Sequence, residues 1–185
     1  GGIHKLYTQN GHEIKSKTVI ISTGASAKYL GLPSEQRLIG GGVSACAVCD
    51  GFFYKNQDVA IVGGGDTAIE EATYLAKICN SVTMLVRKDY FRASKAMQNR
   101  LSNYDNIKVL FNHEVMEVLG ENVVDGLKIK SNLTDDVSEI KITGLFLAIG
   151  HSPNTDIFKG IVDMDDSGYC LLYTSPSPRD LSTSR

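Results

Sequence analysis

Short apolar runs alternate with glycine turns and helical patterns along most of this chain. Apolar residues at helical spacing predict helices at residues 66–79 and 94–104, the second with Ser94 as its N-cap. Five runs rich in β-branched or large apolar residues predict strands at 18–21, 58–62, 81–86, 107–111 and 145–149. The second run reads DVAIV and is apolar at successive positions, which favours a sheet covered on both faces. The pattern therefore predicts an α/β fold.

Three further regions have a different pattern. Residues 26–42 have no sustained period and include a proline and three consecutive glycines, so we expect a connector. Residues 170–185 are dominated by Ser, Thr and Pro, which predicts a disordered tail that is not native to the protein; a linker or a phosphorylated tail is the alternative. A small antiparallel excursion is predicted by short alternating pieces at 114–119, 123–131 and 139–143.

Composition narrows the class of partner. The 185 residues carry 19 Lys or Arg against 21 Asp or Glu, a net charge of −2. This balance favours neither nucleic acid nor an anionic membrane surface, so we expect a small molecule or a protein as the partner. No apolar run approaches the ~20 residues of a membrane-spanning helix. The chain opens on Gly1-Gly2 without a methionine, and we expect a fragment of a longer protein.

The cysteine spacing points to redox chemistry. Cys46 and Cys49 are separated by two residues, whereas Cys79 and Cys170 have no partner at such spacing and are expected to be structural. Four unevenly spaced cysteines are too few for a disulfide framework, so we expect one redox pair in a reducing compartment, the cytoplasm. A zinc site is the alternative, but it needs a second ligand pair. The four histidines lack metal-site spacing, so we expect no metal.

A glycine turn follows the strand predicted at 58–62. The motif Gly63-x-Gly65-x-x-Ala68 leads directly into the predicted helix, and this order of strand, turn and helix is typical of dinucleotide binding. Gly63 permits the tight turn, Gly65 lets the backbone reach a pyrophosphate, and Ala68 keeps helix and strand close. The helix N-terminus then faces the phosphates.

Cations follow the next predicted strand. An NAD-specific fold places an acidic residue about 20 residues after the glycines, on the ribose 2′-hydroxyl. Here Arg87, Lys88 and Arg92 stand in that region instead, and they suit a 2′-phosphate. We therefore expect NADPH rather than NADH as the cofactor. The alternative is a solvated basic strand end.

Two other turns end predicted strands. Thr23-Gly24-Ala25 follows residues 18–21, and its glycine lets the backbone approach a ligand; an ordinary strand end is the alternative. Gly150-His151 follows residues 145–149, and no second member of a catalytic triad accompanies the histidine. We expect His151 to position or contact the nucleotide.

Four motifs together carry a family resemblance. The motifs are Cys46-Ala47-Val48-Cys49-Asp50-Gly51, Gly63-Gly64-Gly65-Asp66-Thr67-Ala68-Ile69-Glu70-Glu71-Ala72, Arg87-Lys88-Asp89-Tyr90-Phe91-Arg92-Ala93 and Ala148-Ile149-Gly150-His151-Ser152-Pro153-Asn154-Thr155. In this order and spacing they resemble the low-molecular-weight thioredoxin reductases of bacteria and plants, within the class II pyridine nucleotide-disulfide oxidoreductases. The resemblance runs from about residue 17 to residue 169.

The resemblance implies a domain organisation and a reaction. Residues 28–151 would form a Rossmann-like three-layer NADPH-binding domain that carries the dithiol, inserted between partial FAD-binding segments at 1–27 and 152–169. The family works as a homodimer, and electrons pass from NADPH through FAD to the Cys46–Cys49 pair and on to thioredoxin. Asp50 would act beside the dithiol as the catalytic acid.

The resemblance also implies binding residues. Those on the FAD side would be Thr23, Gly24 and Ala25. Those for NADPH would be Gly63, Gly65, Asp66, Thr67, Ala68, Glu70, Arg87, Lys88, Arg92, Ile149, Gly150 and His151.

The chain departs from the family at three points. The family's N-terminal glycine fingerprint for FAD is absent, its C-terminal flavin motif does not follow Tyr169, and Lys88 stands where a second arginine is usual. We therefore expect thioredoxin-disulfide reductase activity of the parent protein and little of the fragment alone. The alternatives are a flavoprotein reductase of a peroxiredoxin system and a non-catalytic NADPH-binding module.

Overall fold

The computed structural model describes residues 2–171, so nearly all of the predicted tail at 170–185 lies outside the described residues. The chain divides into two compact units. One comprises residues 27–151, and the other comprises the segments before and after it. The domain bounds implied by the resemblance, 28–151 with flanking segments at 1–27 and 152–169, stay a prediction. The assignment of the units to NADPH and FAD stays a prediction.

The elements are numbered in chain order. The helices are α1 (Pro33–Arg37), α2 (Ala47–Asp50), α3 (Asp66–Ala76) and α4 (Lys95–Gln98), with 3-10 turns at Gly51–Tyr54, Leu101–Asn103 and Asp156–Phe158. The strands are β1 (His4–Tyr7), β2 (Glu13–Ser16), β3 (Ala25–Ala27), β4 (Val43–Ser44), β5 (Asp58–Val62), β6 (Ser81–Val86), β7 (Ile107–Phe111), β8 (His113–Leu119), β9 (Gly126–Ser131), β10 (Val137–Ile140), β11 (Gly144–Leu147) and β12 (His151–Pro153).

A five-stranded parallel sheet organises the larger unit. Its order is β4-β11-β5-β6-β7, and α3 makes the crossover from β5 to β6. Successive side chains of a strand point to opposite faces. Val59 and Ile61 of β5 accordingly pack in one apolar core with Ile69 of α3. Ala60 packs in a second core on the other face. The expectation of an α/β fold with a sheet covered on both sides is confirmed.

The second face of the parallel sheet is covered by an antiparallel sheet. This sheet has the order β10-β9-β8, with a bulge between Val115 and Glu117. Its buried side chains, such as Val118 and Leu127, share a core with Leu145 of the parallel sheet. The unit is therefore three-layered, as the sequence predicted, with α3 on one face and the antiparallel sheet on the other.

Both predicted helices are shorter in the structure. α3 ends at Ala76 rather than Cys79. Its last turn tightens, because the N–H groups of Lys77 and Ile78 bond carbonyls three residues back. The Asn106 amide also donates to the Ala76 oxygen at 2.9 Å. The helix expected at 94–104 is broken into α4 and a 3-10 turn. Ser94 is its N-cap as predicted and accepts the Met97 N–H at 3.4 Å.

The connector expected at 26–42 contains a helix and the end of a strand, so that prediction was wrong in part. α1 begins at Pro33, and its buried Glu35 accepts the N–H groups of Leu30 and Gly31 at 2.8 Å each. This carboxylate fixes the preceding loop, which a pattern of apolar spacing does not reveal. The last antiparallel strand lies at Val137–Ile140 instead of residues 139–143.

The strand predicted at residues 18–21 does not form. This segment belongs to the smaller unit, and Ile20 is 90% exposed. A strand needs a hydrogen-bonding neighbour, and no described segment pairs with this one. In the same unit β1 and β2 form an antiparallel hairpin. No helix within residues 2–171 is long and apolar enough to cross a membrane.

Candidate functional site

Cys46 and Cys49 form a disulfide at the start of a short helix. Their Cα atoms are 5.3 Å apart. Cys46 is the N-cap of α2, and its Sγ accepts the Cys49 N–H at 3.2 Å. Cys46 is half-buried and Cys49 is exposed. The expected bond between these two cysteines is therefore present, at a surface where another molecule can reach it.

Asp50 is linked to the backbone of Cys46 through a buried serine. The Ser44 hydroxyl donates to the Asp50 Oδ2 at 2.6 Å and accepts the Cys46 N–H at 3.0 Å. Ser44 is only 8% exposed. One hydroxyl thus links the carboxylate to the backbone of the first cysteine. Sequence reasoning missed Ser44, although its position two residues before the dithiol was a signal.

The surface around the disulfide is apolar. Val48, Phe52 and Phe53 are 68%, 68% and 74% exposed. The next residue, Tyr54, turns inward and packs edge-on against Phe146 of β11 with ring centroids 5.4 Å apart. Adjacent exposed aromatic residues are typical of surfaces that contact another protein.

The turn between β5 and α3 admits no side chain at its first glycine. Gly63 has φ +147°, and a Cβ there would clash with the Ala148 carbonyl oxygen and lie 2.9 Å from the Ala68 Cβ. By contrast, a Cβ on Gly65 would meet nothing within 4 Å. Gly63 and Ala68 therefore let strand and helix approach, and the backbone at Gly65 is open to a ligand.

The turn is also tied to the loop after β6. Gly64 accepts the N–H groups of Arg92 and Ala93 at 2.7 and 3.1 Å. The Asp66 Oδ1 accepts the Ser94 N–H at 2.7 Å. These bonds bring Arg92 to the mouth of the turn, as a contact with a phosphate group would require.

A cavity opens at this turn. It brings together residues from three separate parts of the chain, several of which the sequence predicted to bind NADPH. It is lined by Ala45, Gly65, Thr67, Glu71, Arg92, Leu147, Ala148, Ile149, Gly150 and His151. The roles of these residues stay predictions. The structure adds that they line the same cavity.

Glu71 is the acid that sequence reasoning missed. Its Oε2 is buried and has no hydrogen-bond partner among the described residues. Burial, and then the charge of neighbouring Glu70, raises the pKa of Glu71 to about 7. Glu70, which the sequence nominated, is exposed and does not line the cavity. Two adjacent glutamates in one helix were the only signal, and they do not tell which one faces inward.

Other nominated residues lie away from the cavity lining. Arg87 and Lys88 are exposed, and the Lys88 Nζ contacts the Tyr90 hydroxyl at 2.9 Å. Thr23, Gly24 and Ala25 belong to the smaller unit. There the Asn154 amide donates to the Thr23 oxygen at 3.1 Å. The predicted roles of these residues toward a 2′-phosphate and FAD stay predictions.

The described residues fit a nicotinamide dinucleotide but do not fit FAD. The open approach at Gly65 and the unpaired Glu71 oxygen suit a dinucleotide at the cavity. Residues 2–171 contain no second Gly-x-Gly turn that leads from a strand into a helix, so they do not supply the phosphate cradle that FAD requires. Within the same range, no group of three His, Cys, Asp or Glu side chains is placed to hold a metal ion.

Comparison with known families decides the family of the chain. The sequence profile described as "Pyridine nucleotide-disulphide oxidoreductase" matches residues 3–172. The chain belongs to this oxidoreductase family. The expected resemblance is confirmed within the family by a thioredoxin reductase of Streptomyces coelicolor, 50% identical over 165 residues. That match covers 89% of this chain and 51% of the relative.

Another thioredoxin reductase, from Rickettsia typhi, is 44% identical over 173 residues and is covered to 56%. This oxidoreductase chain thus spans about half the length of the curated relatives it matches. Among solved structures, the Lactococcus lactis thioredoxin reductase in its FR conformation has a TM-score of 0.82 at 34% identity. The alignment covers 92% of this chain and 56% of that one. The Streptococcus pyogenes thioredoxin reductase gives 0.80 at 36% identity over the same shares.

Proposed function

We propose that this chain is the nucleotide-binding and dithiol part of a thioredoxin-disulfide reductase, which takes electrons from NADPH and passes them to thioredoxin. The observation that carries the proposal is the Cys46–Cys49 disulfide, which lies in the same unit as the strand, glycine turn and helix. The name of the relatives, thioredoxin reductase, supports the choice of substrate.

The residues of the cavity bind and orient the nucleotide in this proposal. Gly65 and the N-terminus of α3 receive the pyrophosphate, and Arg92 neutralises phosphate charge. Arg87 and Lys88 select the 2′-phosphate from the exposed end of β6. NADPH, when bound, supplies two electrons as a hydride.

The dithiol performs the last exchange. In the reduced state one cysteine, as a thiolate, attacks a sulfur of the thioredoxin disulfide, and the other thioredoxin sulfur leaves. The second cysteine of the pair then attacks the mixed disulfide, which re-forms the Cys46–Cys49 bond and releases thioredoxin as a dithiol. Two electrons leave the chain in total. Asp50 takes the proton of the second cysteine thiol and gives it to the departing thiolate. The exposed Phe52 and Phe53 beside the bond suit a protein substrate better than a small thiol.

Further parts of the proposal concern the whole protein. We propose that it depends on FAD and acts as a homodimer, which rests on the likeness to thioredoxin reductases. The cysteine usage supports a reducing, cytoplasmic compartment. The described residues supply no step through FAD.

The exchange with thioredoxin tests the proposal without any cofactor. The full chain is reduced, freed of reductant and mixed with oxidised bacterial thioredoxin. We expect about one thioredoxin dithiol per chain, with loss of the Cys46 and Cys49 thiols, because the pair delivers two electrons. The matched control is Cys79→Ser, which keeps the pair. Cys46→Ser and Cys49→Ser remove the exchange, and one of them traps a mixed disulfide.

The result separates thioredoxin from other acceptors. Reduction of a small disulfide without any reduction of thioredoxin would reject the proposed substrate. A preference for the disulfide-shuttling domain of a peroxiredoxin reductase over thioredoxin would favour the peroxiredoxin system. Flavin absorbance after addition of FAD then tests whether this chain acts only as a module that binds NADPH.

A further inference from the structure

Glu71 is a half-buried acid with one buried oxygen, and the proposed reaction does not use it. Its Oε2 has no hydrogen-bond partner among the described residues, whereas buried polar atoms are nearly always paired. Removing such an atom from water without a partner costs free energy. Because Glu71 lines the cavity at the glycine turn, a ligand bound there can supply the missing partner.

No ionisable group of the described residues is bonded to Glu71. Arg92 and His151 share the cavity with it, and both are exposed. The exposed Glu70 precedes it in α3 and opposes its negative charge. Burial and a like charge therefore both disfavour the charged form of Glu71, and no ion pair of the described residues offsets these effects.

The elements packed on α3 supply no partner either. The ionisable residues of α2 and β5 are the acids Asp50 and Asp58, and both are already hydrogen-bonded, to Ser44 and to Asn80 and Ser81. Lys95 of α4 contacts Gln98 at 3.4 Å, and Lys108 of β7 is exposed. The strand β6 carries no ionisable residue.

We propose that Glu71 takes up a proton when the nucleotide binds and, as a neutral carboxylic acid, donates a hydrogen bond to an oxygen of the ligand. This inference rests on the proposed function, because it requires a nicotinamide nucleotide in the cavity. The ligand brings negatively charged phosphates to the turn and displaces water, and both changes disfavour the charged form of an acid. The proton comes from the solvent, so nucleotide affinity falls as pH rises.

Calorimetric titration of the full chain counts this proton. NADPH is titrated at pH 7.5 in two buffers that differ in ionisation enthalpy. For a rise of one unit in the pKa of Glu71 on binding, we expect wild type to take up about half a proton more than Glu71→Gln. The affinity of wild type should then fall about sixfold between pH 6.5 and 8.5. The 2′-phosphate of NADPH titrates as well, so the difference between variants is the quantity measured.

Two variants serve as controls. Glu117→Gln removes an exposed glutamate of β8, outside the cavity, and keeps the proton uptake of wild type. His151→Gln removes the histidine of the cavity. We expect the double variant, His151→Gln with Glu71→Gln, to take up fewer protons than His151→Gln alone, because the proton belongs to Glu71. This difference does not depend on the nucleotide affinity of either variant.

The outcomes separate this inference from the proposed function. Equal proton counts in wild type and Glu71→Gln, or proton release by wild type, overturn the inference while nucleotide binding stands. If wild type binds no NADPH at any pH, the proposed function fails and the inference with it. Should Glu71→Gln fold poorly, infrared difference spectra of wild type decide the matter. NADPH must increase the absorption of protonated carboxyl groups, and no increase or a decrease overturns the inference.

Discussion

The hydroxyl of Ser44 donates a hydrogen bond of 2.6 Å to the carboxylate of Asp50. Ser44 lies in the edge strand β4, whereas Asp50 ends the helix that carries the disulfide. The bond therefore holds the proposed acid in place from a buried position, through a hydroxyl that also bonds the backbone of Cys46.

We expect Ser44→Ala to slow the thiol exchange of the reduced chain by roughly three- to thirtyfold, part of the 10²–10⁴ that a placed acid contributes. The variant also loses about 1 kcal/mol of unfolding free energy with the buried hydrogen bond. Stopped-flow exchange with a disulfide, followed across pH, measures the first effect. Ser44→Thr keeps the hydroxyl and restores the rate. A loss of stability with an unchanged pH profile would leave Ser44 a purely structural role.

Two alanine substitutions in the glycine turn separate folding from binding. Gly63→Ala places a Cβ against the Ala148 carbonyl oxygen at a φ of +147°, and we expect a loss of about 1–3 kcal/mol or more of unfolding free energy. Gly65→Ala adds a Cβ into open space at φ −94°, so the fold keeps its stability while the methyl group obstructs the pyrophosphate. Denaturant unfolding and NADPH titration measure the two effects. Equal stability of both variants contradicts the argument.

The cysteines should divide into three classes on thiol labelling, and the free, exposed Cys170 should react at once. Burial, and then the charge of Asp58, raises the pKa of Cys79 to about 11, so this thiol is almost entirely protonated at pH 8. We expect Cys46 and Cys49 to react only after a reductant opens their bond, and Cys79 to react only after unfolding. Mass spectrometry of labelled peptides reads the result. Rapid labelling of Cys79 in the folded chain would show that this site is open to solvent.

The stability of the chain should depend on pH through Glu71. Burial, and then the charge of Glu70, raises the pKa of the Glu71 carboxyl from its ordinary value of 4.5 to about 7 in the folded state. The folded state therefore binds the carboxyl proton more tightly than the unfolded state does. Unfolding free energy therefore falls as pH rises through this window, by at most about 3 kcal/mol and less where water screens the side chain. Glu71→Gln removes the part of this pH-dependent loss of unfolding free energy that Glu71 causes. Denaturant unfolding at pH 5 and pH 8 tests it, with Glu117→Gln as the control that keeps the wild-type slope.

Binding of NADPH over NADH should depend on the cations after β6. We expect the double variant Arg87→Ala with Lys88→Ala to lose about 1–3 kcal/mol of NADPH affinity, since charged hydrogen bonds contribute roughly 1.5–3 kcal/mol each and both side chains are exposed. NADH affinity should hardly change. Lys88 contacts Tyr90, so Tyr90→Phe serves as a control for that contact. Equal losses for the two nucleotides would reject the 2′-phosphate assignment.

The sequence by itself determined the features that depend on residues close together along the chain. The bounds of β5, β6 and β7 agree with the predicted runs, because β-branched and large apolar residues favour the pleated surface of a sheet. The bond between Cys46 and Cys49 and the close approach of Gly63 to Ala68 each involve residues of one short segment. Their spacing was therefore enough to predict them.

Only the tertiary structure decided what depends on distant residues. Asn106 bonds the Ala76 carbonyl of α3 from 30 positions away, and the segment at 18–21 forms no strand because no described segment pairs with it. The Oε2 of Glu71 is buried while Glu70 is exposed, although both residues occupy the same helix. Burial and hydrogen-bond partners are properties of the packed chain, so no local pattern could assign Glu71 to the cavity or Ser44 to Asp50.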